Sequence, residues 1–260
     1  MSSAALGKTL LEIDGDGAPV VFVHGLGATS NCWQALLGAF AGFRCIRPDL
    51  PGSGRSPRPA APLTLDLFVD VIADVIRLVG GAPAHLVAHS MGTLVAQHVA
   101  VRAPDSVCSL TLFGPIGEPA DAARERLRER ARTVRQAGLL GVADAVVAAG
   151  LSSASKSANP LAGPFVRELH MRQDAESFAQ TCEALAAARG ADLRALRCPT
   201  LLVTGDADAI APPTAVQALA EKIRGSRVKV LSRCGHWTPI ELPTDCARLA
   251  SEHVRAHAVS

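Results

Sequence analysis

Six short apolar runs, none long enough for a helix, alternate with stretches of helical spacing along most of this 260-residue chain. That alternation restricts the fold more than any other feature. The runs cover residues 19–23, 44–48, 84–88, 109–113, 200–204 and 228–231. Between them Leu65, Phe68, Val69, Ile72, Ile76 and Val79 fall on one helical stripe, and Thr64 and Asp66 suit its N-terminus. Crossovers long enough to hold a helix make neighbouring strands parallel. The expected class is therefore α/β, a mostly parallel sheet with helices on both faces, and such sheets put their chemistry at the carboxyl ends of the strands.

The alternation stops after Phe113 and resumes at Thr200. Residues 117–193 carry helical patterns and no convincing strand, so a core of residues 1–116 and 194–260 is expected to be interrupted by a helical lid at 117–193. Its first half interleaves Arg124, Arg126, Arg128, Arg130, Arg132 and Arg135 with Glu118, Asp121, Glu125 and Glu129, and the i,i+3 pairs among them read as a solvated helix face. Residues 152–160, with their serines, Lys156 and Asn159-Pro160, read as a loop inside the lid.

Composition narrows the function. Hydrophobic residues at 48% supply enough apolar surface for a packed core, which argues against global disorder. Lysine plus arginine number 26 against 24 acids, too even a balance for the basic field that attracts nucleic acid. No run reaches membrane-spanning length, and residues 1–11 lack the apolar core of a signal peptide. The expectation is a cytoplasmic protein with neither nucleic acid nor membrane as partner, its oligomeric state left open. Seven scattered cysteines, never spaced C-x-x-C, read as buried free thiols in a reducing compartment, and Cys234-Gly-His236 lacks further ligands for a metal.

The most specific local feature is Ala88-His89-Ser90-Met91-Gly92, which follows an apolar run and precedes a helical pattern containing Leu94, Val95 and Val99. A nucleophile on such a sharp turn needs small residues two positions before and after it, and Ala88 and Gly92 meet that need. A serine hydroxyl also needs an imidazole to take its proton and a carboxylate to fix the imidazole's tautomer. Downstream, Gly205-Asp-Ala-Asp208 offers two acids, Asp206 and Asp208, on a loop at a strand's carboxyl end. Gly235-His236 follows the last run, and of the eight histidines only His236 has this context. His24 and His89 read as loop-shaping residues, and His85, His98, His170, His253 and His257 as surface or packing residues. The turn His24-Gly25-Leu26-Gly27 supplies backbone N–H donors, so Leu26 and Met91 are the expected oxyanion donors. Gly25-x-Gly27-x-x-Ser30 with Asp49 also resembles a dinucleotide fingerprint, but serine stands for the third glycine and the turn at 51–56 is left unexplained.

Taken together, His24-Gly-Leu-Gly27, Asp49-Leu-Pro-Gly-Ser-Gly-Arg-Ser56, the Ser90 turn, Gly205-Asp-Ala-Asp208 and Gly235-His236 make the chain resemble the α/β-hydrolase family over nearly its whole length. In that family the acid commonly lies three residues after the glycine, so the resemblance implies Asp208; it also implies hydrolysis without a cofactor. Within the family the chain is most similar to 3-oxoadipate enol-lactonases and their haloperoxidase-like relatives, through Leu26-Gly-Ala-Thr-Ser-Asn-Cys-Trp33, Thr133-Val-Arg-Gln-Ala-Gly138 and Cys182-Glu-Ala-Leu-Ala186. His24-Gly25 departs from the pair those lactonases often carry. Gly25, Trp33, Arg132, Arg135 and Trp237 are candidate substrate-binding residues, with Arg132, Arg135 or Arg172 as the expected partner of a lactone's carboxylate. The expected function is a serine hydrolase of a small carboxylic ester or lactone. The alternatives are a ligand receptor on the same scaffold and a cofactor-free perhydrolase, lyase or C–C bond hydrolase.

Overall fold

The computed structural model describes residues 2–81 and 83–258. All six apolar runs are strands: β3 (Ala18–Val23), β4 (Phe43–Pro48), β5 (Ala84–His89), β6 (Val107–Phe113), β7 (Thr200–Gly205) and β8 (Arg227–Leu231). Two further strands, β1 (Ser2–Leu6) and β2 (Thr9–Asp14), form an N-terminal hairpin that the apolar pattern does not announce. The eight strands make one sheet in the order β1-β2-β4-β3-β5-β6-β7-β8, in which β3 to β8 run parallel and β2 lies antiparallel to β4.

Alternate residues of each central strand feed two apolar cores. Val21 and Val23 of β3, Leu86 of β5 and Leu202 of β7 face one core. Helices α1 (Leu65–Asp74), α2 (Met91–Arg102) and α8 (Pro213–Ala220) close it. Val20, Phe22, Val87 and Val203 face the other, closed by a 3₁₀ segment (Ser30–Phe40) and by α10 (Pro243–Ala256). This parity follows from the two-residue period of a strand, and it is why the runs read as continuously apolar. Thr64 caps α1 by accepting from the Leu67 N–H at 3.1 Å, and the predicted stripe continues past Asp74 into a wider π turn over Val75–Gly80.

Between β6 and β7 the described chain is helical: α3 (Asp121–Ala137), α4 (Leu140–Gly150), α5 (Ser153–Ala158), α6 (Ala162–Met171) and α7 (Ala175–Ala187). Ala131 and Val134 of α3 pack on Phe178, Ala179 and Cys182 of α7 in a third small core. Helix α5 corrects the loop expected over 152–160, because the Ser152 hydroxyl accepts from the Ser155 N–H at 2.9 Å and starts a helical turn there. The seven cysteines are free thiols, but Cys108 and Cys198 are partly exposed rather than buried. Among the described residues no helix is long and apolar enough to cross a membrane.

Candidate active site

Ser90 sits where β5 ends and α2 begins, with φ 52° and ψ −123°, a left-handed conformation that a side-chain-bearing residue adopts only under constraint. The constraint is local. The Ser90 N–H donates to the Phe113 carbonyl at 2.9 Å, and the Thr93 hydroxyl donates to the Ser90 carbonyl at 2.6 Å. The turn presses against β3 so closely that a Cβ on Gly92 would stand 2.3 Å from the Val23 carbonyl oxygen, which explains the small residue there.

The other two groups arrive on loops after β7 and β8. The Ser90 hydroxyl lies 2.8 Å from His236 Nε2, and His236 Nδ1 lies 2.8 Å from Asp208 Oδ2. All three donors and acceptors stand at the carboxyl ends of β5, β7 and β8. The two acids left open by spacing have separate work. Asp206 accepts the Cys234 N–H at 3.1 Å, whereas Asp208 accepts from His236 through one oxygen and from the Ile210 and Ala211 N–H groups, both at 2.8 Å, through the other. Burial alone would raise the Asp208 carboxyl, but the His236 imidazole and those two N–H groups outweigh it and hold the carboxyl below the ordinary aspartate value.

The loop of the candidate oxyanion donors lies against the serine: a Cβ on Gly25 would stand 2.9 Å from the Ser90 Cβ and 3.0 Å from the His89 carbonyl. Met91 is the first residue of α2, so its N–H has no intrahelical acceptor, and among the described residues none takes up the Leu26 N–H. His24 fixes this loop from beneath, accepting the Leu50 N–H at 3.0 Å. The Asp49 carboxylate is taken by the N–H groups of Ser30 (2.7 Å) and Arg55 (3.1 Å) and by the Arg55 guanidinium (3.0 Å), so its job is to pin the 49–56 turn to the loop rather than to wait for a ribose.

Two residues that no motif singles out lie against the histidine. Glu241, on the short helix α9 (Thr238–Glu241), is 4% exposed and accepts three backbone N–H groups: Gly235 at 2.8 Å, Ser152 at 2.9 Å and Trp237 at 3.0 Å. The two residues flanking His236 and the start of α5 are thereby tied to one carboxylate, and the His236 N–H donates to the Gly150 carbonyl at 2.7 Å. Gly114 is the second, with φ 53°; a Cβ there would come within 2.9 Å of the His236 ring. The His89 Nε2–H donates to the His236 carbonyl at 2.8 Å. Burial, then the neighbouring His236, push His89 down to about 3, so it stays neutral.

The candidate substrate residues divide. Gly25 touches the serine. Trp237 packs its ring 5.0 Å from His89 and 5.5 Å from His170. Trp33 is fully buried against Phe22 and Phe113 and is a core residue, which corrects its assignment to the pocket. Arg132 pairs with Glu125 and Glu129, Arg135 with Glu176 and Glu183, and Arg172 approaches Glu168, all on the exposed surface of α3, α6 and α7. None of the three hydrogen-bonds to the Ser90 cluster. His170, expected only to pack, comes from α6 to the glycine loop: a Cβ on Gly27 would stand 2.3 Å from its Nε2.

A family model described as alpha/beta hydrolase fold matches residues 18–243. The chain is 32% identical over 264 residues to a 2-hydroxymuconate semialdehyde hydrolase from Pseudomonas sp. (strain CF600), covering 94% of this chain and 88% of that one. Another curated match, 33% identical, spans 48% of both chains. A thermophilic esterase from Thermogutta terrifontis superposes with TM-score 0.90 at 28% identity, covering 96% of this chain and 95% of that chain. The enol-lactonase from Burkholderia xenovorans LB400 does so with TM-score 0.86 at 26% identity, covering 98% and 100%.

Proposed function

The chain belongs to the α/β-hydrolase fold family, and from that premise we propose that it hydrolyses a small carboxylic ester or lactone through an acyl-serine intermediate. The observation that carries the reading is the unbroken relay from the Ser90 hydroxyl through His236 to Asp208, 2.8 Å at each step. His236 takes the hydroxyl proton as Ser90 Oγ bonds to the carbonyl carbon, and Asp208 stabilises the imidazolium that results. The N–H groups of Leu26 and Met91 receive the oxyanion. His236 returns the proton to the departing alkoxide, or to the ring oxygen of a lactone. Water, deprotonated by the same imidazole, then releases the acid and restores the serine.

Helices α3 to α7 act as the lid over the acyl pocket in this reading, supported by the bonds from Gly150 and Ser152 to the His236 loop. The enol-lactonase and esterase likenesses favour an ester or lactone. A second reading, hydrolysis of a carbon–carbon bond next to a ketone by the same serine, is favoured by the 32% identity to the 2-hydroxymuconate semialdehyde hydrolase. Ser90→Ala is expected to lower turnover of p-nitrophenyl esters or lactones by roughly four to six orders of magnitude with an unchanged circular dichroism spectrum. Retained turnover in that variant would reject the mechanism, and a panel that includes 2-hydroxymuconate semialdehyde separates the two readings.

A further inference from the structure

Four arginines without acidic partners converge on one cavity at the other end of the sheet. The cavity, about 850 Å³, is lined by Arg194, Arg197, Arg224 and Arg227 together with His253 and His257, and by no acidic side chain. On α3, by contrast, Arg124, Arg128, Arg132 and Arg135 each hold at least one glutamate. Among the described residues none of the four cavity arginines forms an ion pair. Asp192, the nearest acid in sequence, turns its carboxylate onto the Arg194 backbone N–H at 3.2 Å.

The imidazoles sharpen the contrast. His253 is 2% exposed, accepts from Arg227 Nη2 at Nδ1 (3.2 Å) and packs its ring 4.8 Å from that of His257. Burial first, then His257 and Arg227, hold it down to about 4, so the ring stays neutral beside Arg227. Four like charges facing one concavity repel one another, so the arrangement favours whatever anion enters it. A guanidinium fork matches the oxygens of a phosphoryl group with two parallel N–H bonds, and the volume suits a small molecule rather than a flat polymer.

The location separates this cavity from the ester site. Residues 194–199 and 224–226 precede β7 and β8, whereas Asp208 and His236 follow them. A six-residue strand rising roughly 3.3 Å per residue puts the two sites on the order of 20 Å apart.

We propose that this cavity is a binding site for a di- or triphosphate group, distinct from the site of hydrolysis. The phosphoryl oxygens are received by Arg194, Arg197, Arg224 and Arg227 at the rim. The test is isothermal titration of the full chain at fixed ionic strength with inorganic triphosphate, ATP and, as a control, sulfate. Triphosphate is expected to bind one per chain, and the double variant Arg224→Gln/Arg227→Gln to weaken it at least about ten-fold, while p-nitrophenyl ester turnover stays within about two-fold of the parent. ATP binding as tightly as triphosphate means that the phosphates alone are read; tighter binding means that the nucleoside is held as well. Sulfate matching triphosphate, affinity unchanged in the double variant, or no one-to-one binding each overturns the proposal.

Discussion

Replacing Glu241 by glutamine changes one atom of a buried side chain, and the structure says what that atom does. Oε2 accepts from Gly235 and Ser152, and Oε1 from Trp237. A glutamine keeps one carbonyl oxygen for the first two donors, but it must then present an NH₂ to the Trp237 N–H, donor against donor. The loss is one charge-assisted hydrogen bond together with a desolvated donor, about 2–4 kcal/mol. Because the flanking N–H groups belong to the residues on either side of His236, the strain falls on the His236 imidazole. A displacement of about 1 Å costs on the order of a hundred-fold in rate, so Glu241→Gln should lose about ten- to a hundred-fold in kcat with little change in KM. Urea unfolding and p-nitrophenyl ester kinetics on the same preparation measure both. A variant that is destabilised but turns over at the parental rate would refute the positioning role, and one that is not destabilised would refute the clamp itself.

Gly25→Ala adds a Cβ that would stand 2.9 Å from the Ser90 Cβ. The glycine loop at 24–27 must move, and kcat should fall at least about ten-fold without loss of fold; parental kcat would show that the loop is not held against the serine. Burial first depresses His85, His170 and His253 to about 4 and His89 to about 3. The unfolded chain takes up protons from about pH 6.5 downward, so the stability these residues contribute is whole above that pH. It is lost as pH falls toward 4, by about 1.4 kcal/mol per pH unit for each fully buried neutral ring. Urea midpoints at pH 7 and pH 5 should therefore differ in that direction, and equal midpoints would contradict the burial of neutral imidazoles. Arg132→Ala and Arg135→Ala remove exposed ion pairs of little worth, and kcat/KM should stay within about two-fold; a ten-fold rise in KM would return them to the substrate pocket.

Elements with strong periodicity were legible in the sequence. Strands β3 to β7 are buried on both faces, so their apolar runs stand out, whereas β8, at the sheet edge, buries only Leu231. The Ser90 turn carries its own steric requirement in Ala88 and Gly92. The hairpin of β1 and β2 was not legible, because β1 is mostly exposed and its residues Ser2, Ser3, Ala4 and Ala5 carry no alternation. Glu241 was not legible for a different reason. A lone glutamate in a helical stretch reads as solvent-facing, and only the approach of residues 235–237 and of the distant Ser152 buries it. Trp33 misled in the opposite sense, since an aromatic beside the glycine loop suits a pocket wall and a sheet core equally. Arg126, Arg128, Arg132 and Arg135 of α3 lie on a solvated face, whereas Arg124 and Arg130 are half-buried, and Arg132 and Arg135 are held by glutamates of α3 and α7 rather than offered to a carboxylate.

The central claim is that Ser90 becomes covalently bonded to substrate, and trapping that bond tests it most directly. Treatment with diisopropyl fluorophosphate, followed by intact mass and peptide mapping, should show one adduct per chain on Ser90, accumulating in step with the loss of ester turnover. An adduct elsewhere, or turnover that persists in chains fully modified at Ser90, would contradict the account.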